Sequence, residues 1–94
     1  MEWTVTYSNK AGKQYNKLPQ SLRDAIDLLV TEIRMNGPVR NNWRNYSKLK
    51  GTGNKHHCHV KTGRPTYVVV WEVIDNTVKL VEVIYAGTHE KAPY

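Results

Sequence analysis

The sequence lacks the features that mark secreted, disulfide-bonded and membrane proteins. Cys58 is its only cysteine, which excludes an intramolecular disulfide and favours a reducing compartment. No window approaches the roughly 20 apolar residues that a membrane-spanning helix requires. The N-terminal segment has no basic start followed by an apolar run, so no signal peptide is expected. These absences predict a cytoplasmic protein with no membrane partner.

Phenylalanine is absent and acidic residues are few. The aromatic residues are six Tyr and three Trp, whose rings can keep a polar edge at a surface. Fourteen Lys and Arg against eight Asp and Glu give a net charge of +6. The stretch from Arg40 to Arg64 contains no Asp or Glu and three of the four histidines. Such clustered charge favours a polyanionic partner, with solubility alone as the alternative.

The N-terminal half predicts one strand followed by two helices. Glu2 to Tyr7 alternates apolar and polar residues, as a half-buried strand does. Ser8 or Asn9 can cap a helix that runs to about Leu18. A second helix follows Pro19, with an apolar stripe at three- and four-residue steps, and Asn36-Gly37-Pro38 ends it.

The C-terminal half predicts a basic loop and three strands. Val39 to Asn54 is polar, with Trp43, Tyr46 and Leu49 as expected core anchors and base stacking as the alternative for Trp43. Strands are expected at His56–Lys61, at the continuous apolar run Thr66–Ile74, and at Val78–Ala86. The 94 residues leave room for one domain, 1–94. The predicted fold class is α+β, with two helices on one face of a mostly antiparallel sheet completed by a three-strand meander, and a site on the other face.

Four segments together resemble the RelE/ParE toxin superfamily. They are KAGKQYNKLP, LKG at 49–51, YVVVWEVIDNTVKLVEVIYAG, and the closing GTHEKAPY. The resemblance covers nearly the whole chain and is closer to the RNA-cleaving RelE, YoeB and HigB types than to the gyrase-poisoning ParE type. It implies the toxin of a toxin–antitoxin system, a ribosome-dependent mRNA endoribonuclease that inhibits translation without a cofactor and is restrained by a cognate antitoxin.

The chain departs from RelE at the positions that the resemblance marks as catalytic. His57 and His59 fall where RelE has two lysines, and His89 falls where it has a late arginine. RelE's arginine on the following strand is matched by Val68, which leaves Arg64 as the nearest substitute. These departures leave the division of catalytic roles open.

Cleavage by attack of the RNA 2′-hydroxyl on phosphorus requires a base, an acid and cations. Strand alternation predicts that His57, His59 and Lys61 share one face, opposite His56, Cys58 and Val60. Nearby cations are expected to lower the imidazole pKa values. We assign the base to His57 or His59 and the acid to His89 or Tyr94. The candidate catalytic residues are His57, His59, Lys61, Arg64, His89 and Tyr94, and the candidate RNA-binding residues are Arg40, Arg44, Lys48, Lys50 and Lys91.

Other interpretations of these residues carry less weight. His57, Cys58 and His59 are metal-ligand types, but neighbouring strand residues face opposite ways and no Cys-x-x-Cys pair is present, so no metal is expected. Cys58 is expected to be a small buried residue. Tyr94 corresponds to RelE's late tyrosine only if one residue is deleted, and a frayed end is its alternative. A ParE-like gyrase inhibitor and a noncatalytic RNA-binding domain remain as alternative functions.

Overall fold

The computed structural model describes residues 2–51 and 53–94 and confirms the α+β class. Met1 and Thr52, which belong to the predicted N-terminal segment and basic loop, lie outside the described residues. The helices are α1 (Asn9–Asn16) and α2 (Gln20–Asn36). The strands are β1 (Thr4–Tyr7), β2 (Ser47–Lys48), β3 (Lys55–Lys61), β4 (Tyr67–Asp75) and β5 (Leu80–Thr88), followed by a 3₁₀ helix at His89–Lys91.

The helix boundaries follow from residues that the sequence marks. The Ser8 hydroxyl accepts a hydrogen bond from the Ala11 amide at 3.1 Å, which caps α1. Pro19 precedes the first turn of α2. At the other end Gly37 has a φ of 97°, which favours glycine, and its amide bonds to the carbonyl of Ile33. Both predicted helices are confirmed.

The sheet has the order β1-β5-β4-β3-β2. The strands from β2 to β5 pair antiparallel, and β3, β4 and β5 form the predicted meander. Two features were not predicted. β1 pairs parallel to β5, and the two-residue strand β2 lies inside the segment that was predicted as a loop.

Both faces of the central strands are covered, which explains the continuous apolar run of β4. Both helices pack on one face, where the buried core residues are Ile26, Leu29, Val30, Ile33, Cys58, Val69, Trp71, Val81 and Val83. The opposite face carries a smaller cluster of Val68, Val70 and Tyr85, with Leu49 and Ala92 packed against it. The smaller cluster leaves this second face partly open for a site.

The single cysteine belongs to the helix-side core. Cys58 is 0% exposed, and burial raises the pKa of its thiol to about 12. The thiol therefore stays neutral and packs as a small apolar group, as the sequence predicts. None of the helices in the described ranges has the length and apolar character needed to cross a membrane.

Candidate functional site

Four rings meet on the sheet face opposite the helices. The ring centroids of His57 and His59 are 6.0 Å apart, and those of His59 and His89 are 5.5 Å apart. Tyr94 lies 4.7 Å from His57 and 6.0 Å from His89. We call these four residues the ring cluster. The structure thus brings together four of the six candidate catalytic residues.

The ring cluster is assembled from three separate elements. His57 and His59 alternate with core-facing residues on β3 and sit beside the apolar cluster formed by Val68 and Val70. The backbone amide of His89 bonds to the carbonyl of Thr66 at 2.8 Å, which fixes the 3₁₀ helix to the start of β4. The chain then turns back, so that Tyr94 rests on His57 although half of its surface is exposed.

His57 is the most enclosed member of the ring cluster, with 9% of its surface exposed. The Oγ of Ser47 lies 3.1 Å from its Nδ1, across the β2–β3 pair. Burial lowers the pKa of His57 below its usual value, a hydrogen bond to the Ser47 backbone raises it, and the charge of His89 lowers it further. At neutral pH this imidazole is therefore ready to accept a proton.

The pKa of His59 is also lowered. Burial is the main cause, and His57, His89 and Arg44 add electrostatic repulsion of the charged form. The sequence predicted this direction from nearby cations alone. The structure shows that loss of water contributes more, because the two imidazoles lie on a partly covered sheet face.

Tyr94 differs from the imidazoles because its pKa is raised above the usual value of 10.0, mainly by burial and then by Tyr85 and Cys58. Its hydroxyl therefore keeps its proton at neutral pH. A neutral imidazole and a protonated phenol whose rings lie 4.7 Å apart make a base and an acid available at the same place.

Lys61 does not share the face of His57 and His59, so the prediction from strict alternation is wrong. The β3–β4 register shifts between His59 and Lys61, and Lys61 pairs with Tyr67. Tyr67 shares by alternation the face of Val69, which belongs to the helix-side core. The Lys61 Nζ lies 5.9 Å from the Tyr67 ring centroid. A β-bulge re-aims side chains in this way and cannot be read from a two-residue period.

Arg64 lies beside the ring cluster in the turn between β3 and β4. Together with His89 and Glu90 it lines a cavity of about 660 Å³. The cavity falls in the size range of small-ligand pockets, roughly 300–1,000 Å³. The guanidinium of Arg64 is thus available to an anion that reaches His89.

Arg40 is held against α2 and away from the ring cluster. Its guanidinium lies 3.4 Å from the Oε1 of Glu32, and the side chain is 13% exposed. The same oxygen accepts hydrogen bonds from Asn42 at 2.8 Å and from Trp43 at 2.9 Å. These bonds, Asn42 first, lower the pKa of Glu32. Trp43 also packs on the core, which confirms its predicted role as an anchor.

The other candidate RNA-binding residues are exposed, but they lie at different places. The backbone carbonyl of Arg44 accepts a bond from the His59 amide at 2.8 Å, so Arg44 borders the ring cluster. Lys91 is in the 3₁₀ helix with His89. Lys48 pairs in register with His56, which faces the helix-side core, and Lys50 follows β2. Among the candidate RNA-binding residues, Arg44 and Lys91 are therefore the ones that adjoin members of the ring cluster.

Sequence reasoning missed Ser47 and Tyr85. Ser47 reaches His57 only because the predicted loop forms the short strand β2. Tyr85 is buried beneath the ring cluster, and its hydroxyl donates to the Thr88 carbonyl at 2.7 Å, just before His89. No sequence signal marks Ser47. Strict alternation along β5 would have put Tyr85 on the helix side with Val81 and Val83. A shift in the β4–β5 register places it on the opposite face instead.

No group of three or more His, Cys, Asp or Glu side chains in residues 2–51 and 53–94 is arranged to hold a metal ion. His56, the fourth histidine, faces the helix side and stacks on Trp71 at a centroid distance of 5.9 Å. It is therefore separated from the ring cluster by the sheet itself, as alternation predicts.

No protein-family model matches this chain, and no curated protein matches it in sequence. Solved structures do match. A variant of the E. coli toxin RelE in the free state has a TM-score of 0.76 and 22% identity, covering 98% of this chain and 88% of that chain. The archaeal RelE–RelB complex from Pyrococcus horikoshii has a TM-score of 0.72 and 18% identity, covering 98% of this chain and 100% of that chain.

The YoeB dimer from Staphylococcus aureus has a TM-score of 0.71 and 20% identity, covering 95% of this chain and 99% of that chain. All three similarities extend over nearly the whole chain. The chain therefore has the RelE-type toxin fold, as the sequence resemblance predicts.

Proposed function

We propose that this protein is the toxin of a toxin–antitoxin system and cleaves mRNA on the ribosome, with no metal taking part. The observation that carries the proposal is the ring cluster, where imidazoles with lowered pKa values meet a phenol with a raised pKa. A surface that only bound RNA would need cations, but it would not need proton donors and acceptors set beside each other.

The proposed reaction begins with His57 as the general base. Its neutral imidazole takes the proton of a 2′-hydroxyl, and the 2′ oxygen attacks the adjacent phosphorus. The bond from phosphorus to the 5′ oxygen then breaks, and that oxygen receives a proton from Tyr94 or His89. The products are a 2′,3′-cyclic phosphate and a 5′-hydroxyl, so protons and charge balance without a cofactor.

Cations supply the stabilisation of the phosphorane. Arg44 adjoins the ring cluster through the backbone bond from His59, and Arg64 adjoins it through the cavity that it lines with His89. Lys91 is a third cation near His89. Lys48, Lys50 and Lys61 are left to contact more distant phosphates or the ribosome, and Arg40 mainly anchors the basic loop to Glu32.

A small protein can catalyse this reaction if the ribosome positions the substrate. Correct placement of reacting groups accounts for a large part of a catalytic rate, and this open sheet face encloses little of a polynucleotide by itself. We therefore place the protein in the cytoplasm, where translating ribosomes present mRNA.

The proposed partner besides mRNA is a cognate antitoxin. The solved RelE–RelB complex from P. horikoshii supports this proposal, because a chain of this fold is bound there to a second protein. The net charge of +6 favours an acidic segment on the basic face. An apolar contact is also available on α2, where Leu28 and Met35 are exposed.

The test is induced expression with primer extension on a reporter mRNA, together with cleavage by the purified chain in a reconstituted translation system. The wild type should arrest growth and produce translation-dependent cuts with 5′-hydroxyl ends. A 2′-deoxynucleotide at the cut position should abolish cleavage there, because the nucleophile is missing.

The decisive variants keep the fold and change the ring cluster. The His57→Ala/His59→Ala/His89→Ala triple variant should lose the cuts, whereas Lys13→Ala on α1 should keep them. Growth arrest without mRNA cuts would instead favour a ParE-like inhibitor of gyrase. Binding of RNA that is neither cleaved nor altered by the triple variant would favour a noncatalytic RNA-binding domain.

A further inference from the structure

Two histidines on β3 could act as the base, but only one of them has a hydrogen bond that orients its ring. Ser47 lies directly opposite His57 in the β2–β3 register, and its Oγ is 3.1 Å from Nδ1. Within the described residues, the His59 side chain has no such partner. The ring of His57 is therefore oriented, while that of His59 is not.

The contact with Ser47 also bears on which nitrogen of His57 carries the proton. The nitrogen that faces Ser47 is Nδ1, and the atom opposite it is the hydroxyl Oγ, which can accept a hydrogen bond from a ring N–H. A neutral imidazole carries one N–H, so a proton held on Nδ1 by the Oγ leaves Nε2 unprotonated.

Ser47 is itself held in place by the residues that flank β2. The hydroxyl of Tyr46 lies 2.7 Å from the Nδ1 of His56, on the opposite face of the sheet. The amide of Leu49 bonds to the carbonyl of Lys55 at 2.8 Å. Ser47 therefore contacts His57 from a backbone that is fixed on both sides, which makes it able to orient a ring.

We propose that Ser47 is a positioning residue, which holds His57 as the Nδ1–H tautomer and leaves Nε2 as the nitrogen that accepts the 2′-hydroxyl proton. The tautomer assignment stands on the geometry of Ser47 and His57. The role of Nε2 rests on the proposed function. Other enzymes use the same arrangement. A group that bonds to one ring nitrogen of a histidine orients the ring and leaves the other nitrogen available for proton transfer.

Three other titratable groups face His57 and must be separated from the effect of Ser47. They are His59 on the same strand, His89 in the 3₁₀ helix and Tyr94 in the tail. Substitution of Ser47 leaves all three of these residues unchanged in the sequence. A response of His57 to substitution of Ser47 alone can therefore be assigned to the Ser47 contact.

The first test is long-range ¹H–¹⁵N correlation spectroscopy of the histidine rings in the full-length chain. The wild type should show His57 as the Nδ1–H tautomer. Ser47→Ala should shift His57 toward a mixture of tautomers, while Ser47→Thr, which keeps the hydroxyl, should retain the wild-type pattern. Ser21→Ala, an exposed serine on α2, is the matched control. An Nε2–H tautomer in the wild type, or an unchanged spectrum in Ser47→Ala, would overturn the proposal.

The second test is kinetic. Ser47→Ala should lower kcat for RNA cleavage about tenfold with little change in KM, because one hydrogen bond that fixes the base is lost. The acidic limb of its pH–rate profile should move to lower pH, since the imidazolium loses the Oγ acceptor. Ser47→Thr should restore both. Equal rates and profiles in Ser47→Ala and wild type would refute the positioning role.

The two tests separate the two proposals. If the wild type cuts no RNA, the proposed function fails, and with it the role of Nε2, while the spectra still decide whether Ser47 sets the tautomer. If RNA is cut and the spectra do not respond to Ser47, the function stands and the positioning role is refuted.

Discussion

The buried histidine on the helix side should make the stability of this protein depend on pH. His56 is 3% exposed and stacks on Trp71 with an interplanar angle of 7°. Its Nε2 lies 3.0 Å from the Asn54 Oδ1, which can only accept, so Nε2 carries the proton. Tyr46 then donates to Nδ1. The neutral ring is fully hydrogen-bonded, and a charged ring would be placed in the core.

The magnitude follows from the pKa. Burial, with a smaller contribution from Lys48, lowers the pKa of His56 from 6.5 to about 4. The unfolded chain therefore binds a proton at higher pH than the folded chain. Stability is complete above pH 6.5, falls as the pH drops from 6.5 to about 4, and then levels off with respect to this group. The loss should be at most about 3 kcal/mol, since each pKa unit corresponds to about 1.4 kcal/mol.

Urea unfolding followed by tryptophan fluorescence at a series of pH values measures this loss. Other groups also titrate in this range, so the quantity to compare is the difference in slope between wild type and His56→Gln. The wild type should lose about 2–3 kcal/mol more than His56→Gln between neutral pH and pH 4. Lys48→Gln should give an intermediate slope. Equal slopes in the wild type and His56→Gln would refute the argument.

Three further predictions concern the loop anchor, the core and the acid. Glu32→Gln should lower the free energy of unfolding by about 1–3 kcal/mol, because a charged acceptor for Asn42, Trp43 and Arg40 is lost. An unchanged urea unfolding curve would show that the contact between Glu32 and the basic loop does not stabilise the fold. Ile26→Ala should cost about 2–5 kcal/mol in the same assay, since Ile26 is fully buried, and a cost below 1 kcal/mol would contradict the packing described. If Tyr94 is the acid, the cleavage rate should rise with pH as the His57 base loses its proton, at a pH below 6.5, and should then stay level to about pH 10. Tyr94→Phe should abolish this plateau. A decline in rate that begins well below pH 10 would assign the acid to another group.

Much of the site could be predicted because strand alternation fixes which neighbours share a face. His57 and His59 are on one face, and His56 and Cys58 are on the other, as a period of two requires. Lys61 shows the limit of this reasoning. The register shift after His59 depends on how β4 pairs with β3, and the sequence of β3 alone does not predict it.

The tail shows the same limit at longer range. The resemblance to RelE indicated His89 and Tyr94 as candidates, but only if one residue is treated as deleted for Tyr94. The structure places the Tyr94 ring on His57, 37 positions earlier in the sequence, by folding the chain back after the 3₁₀ helix. Arg40 shows the opposite outcome. It was expected to bind RNA because it lies in a basic segment, but in the folded chain it pairs with Glu32 of α2.

The sequence by itself determined the α+β class, the two helices and the meander, because helix caps, turn residues and apolar periodicity are local properties of the chain. It also determined the basic balance and the residue types available for proton transfer. Tertiary structure alone decided the parallel pairing of β1, the strand β2 and its contact from Ser47 to His57, the bulge at Lys61 and the closure of Tyr94 over the rings. Each of these depends on how separate segments pair and pack, from β1 beside β5 to the nearer pair of β2 and β3. That geometry is settled only when the whole core packs.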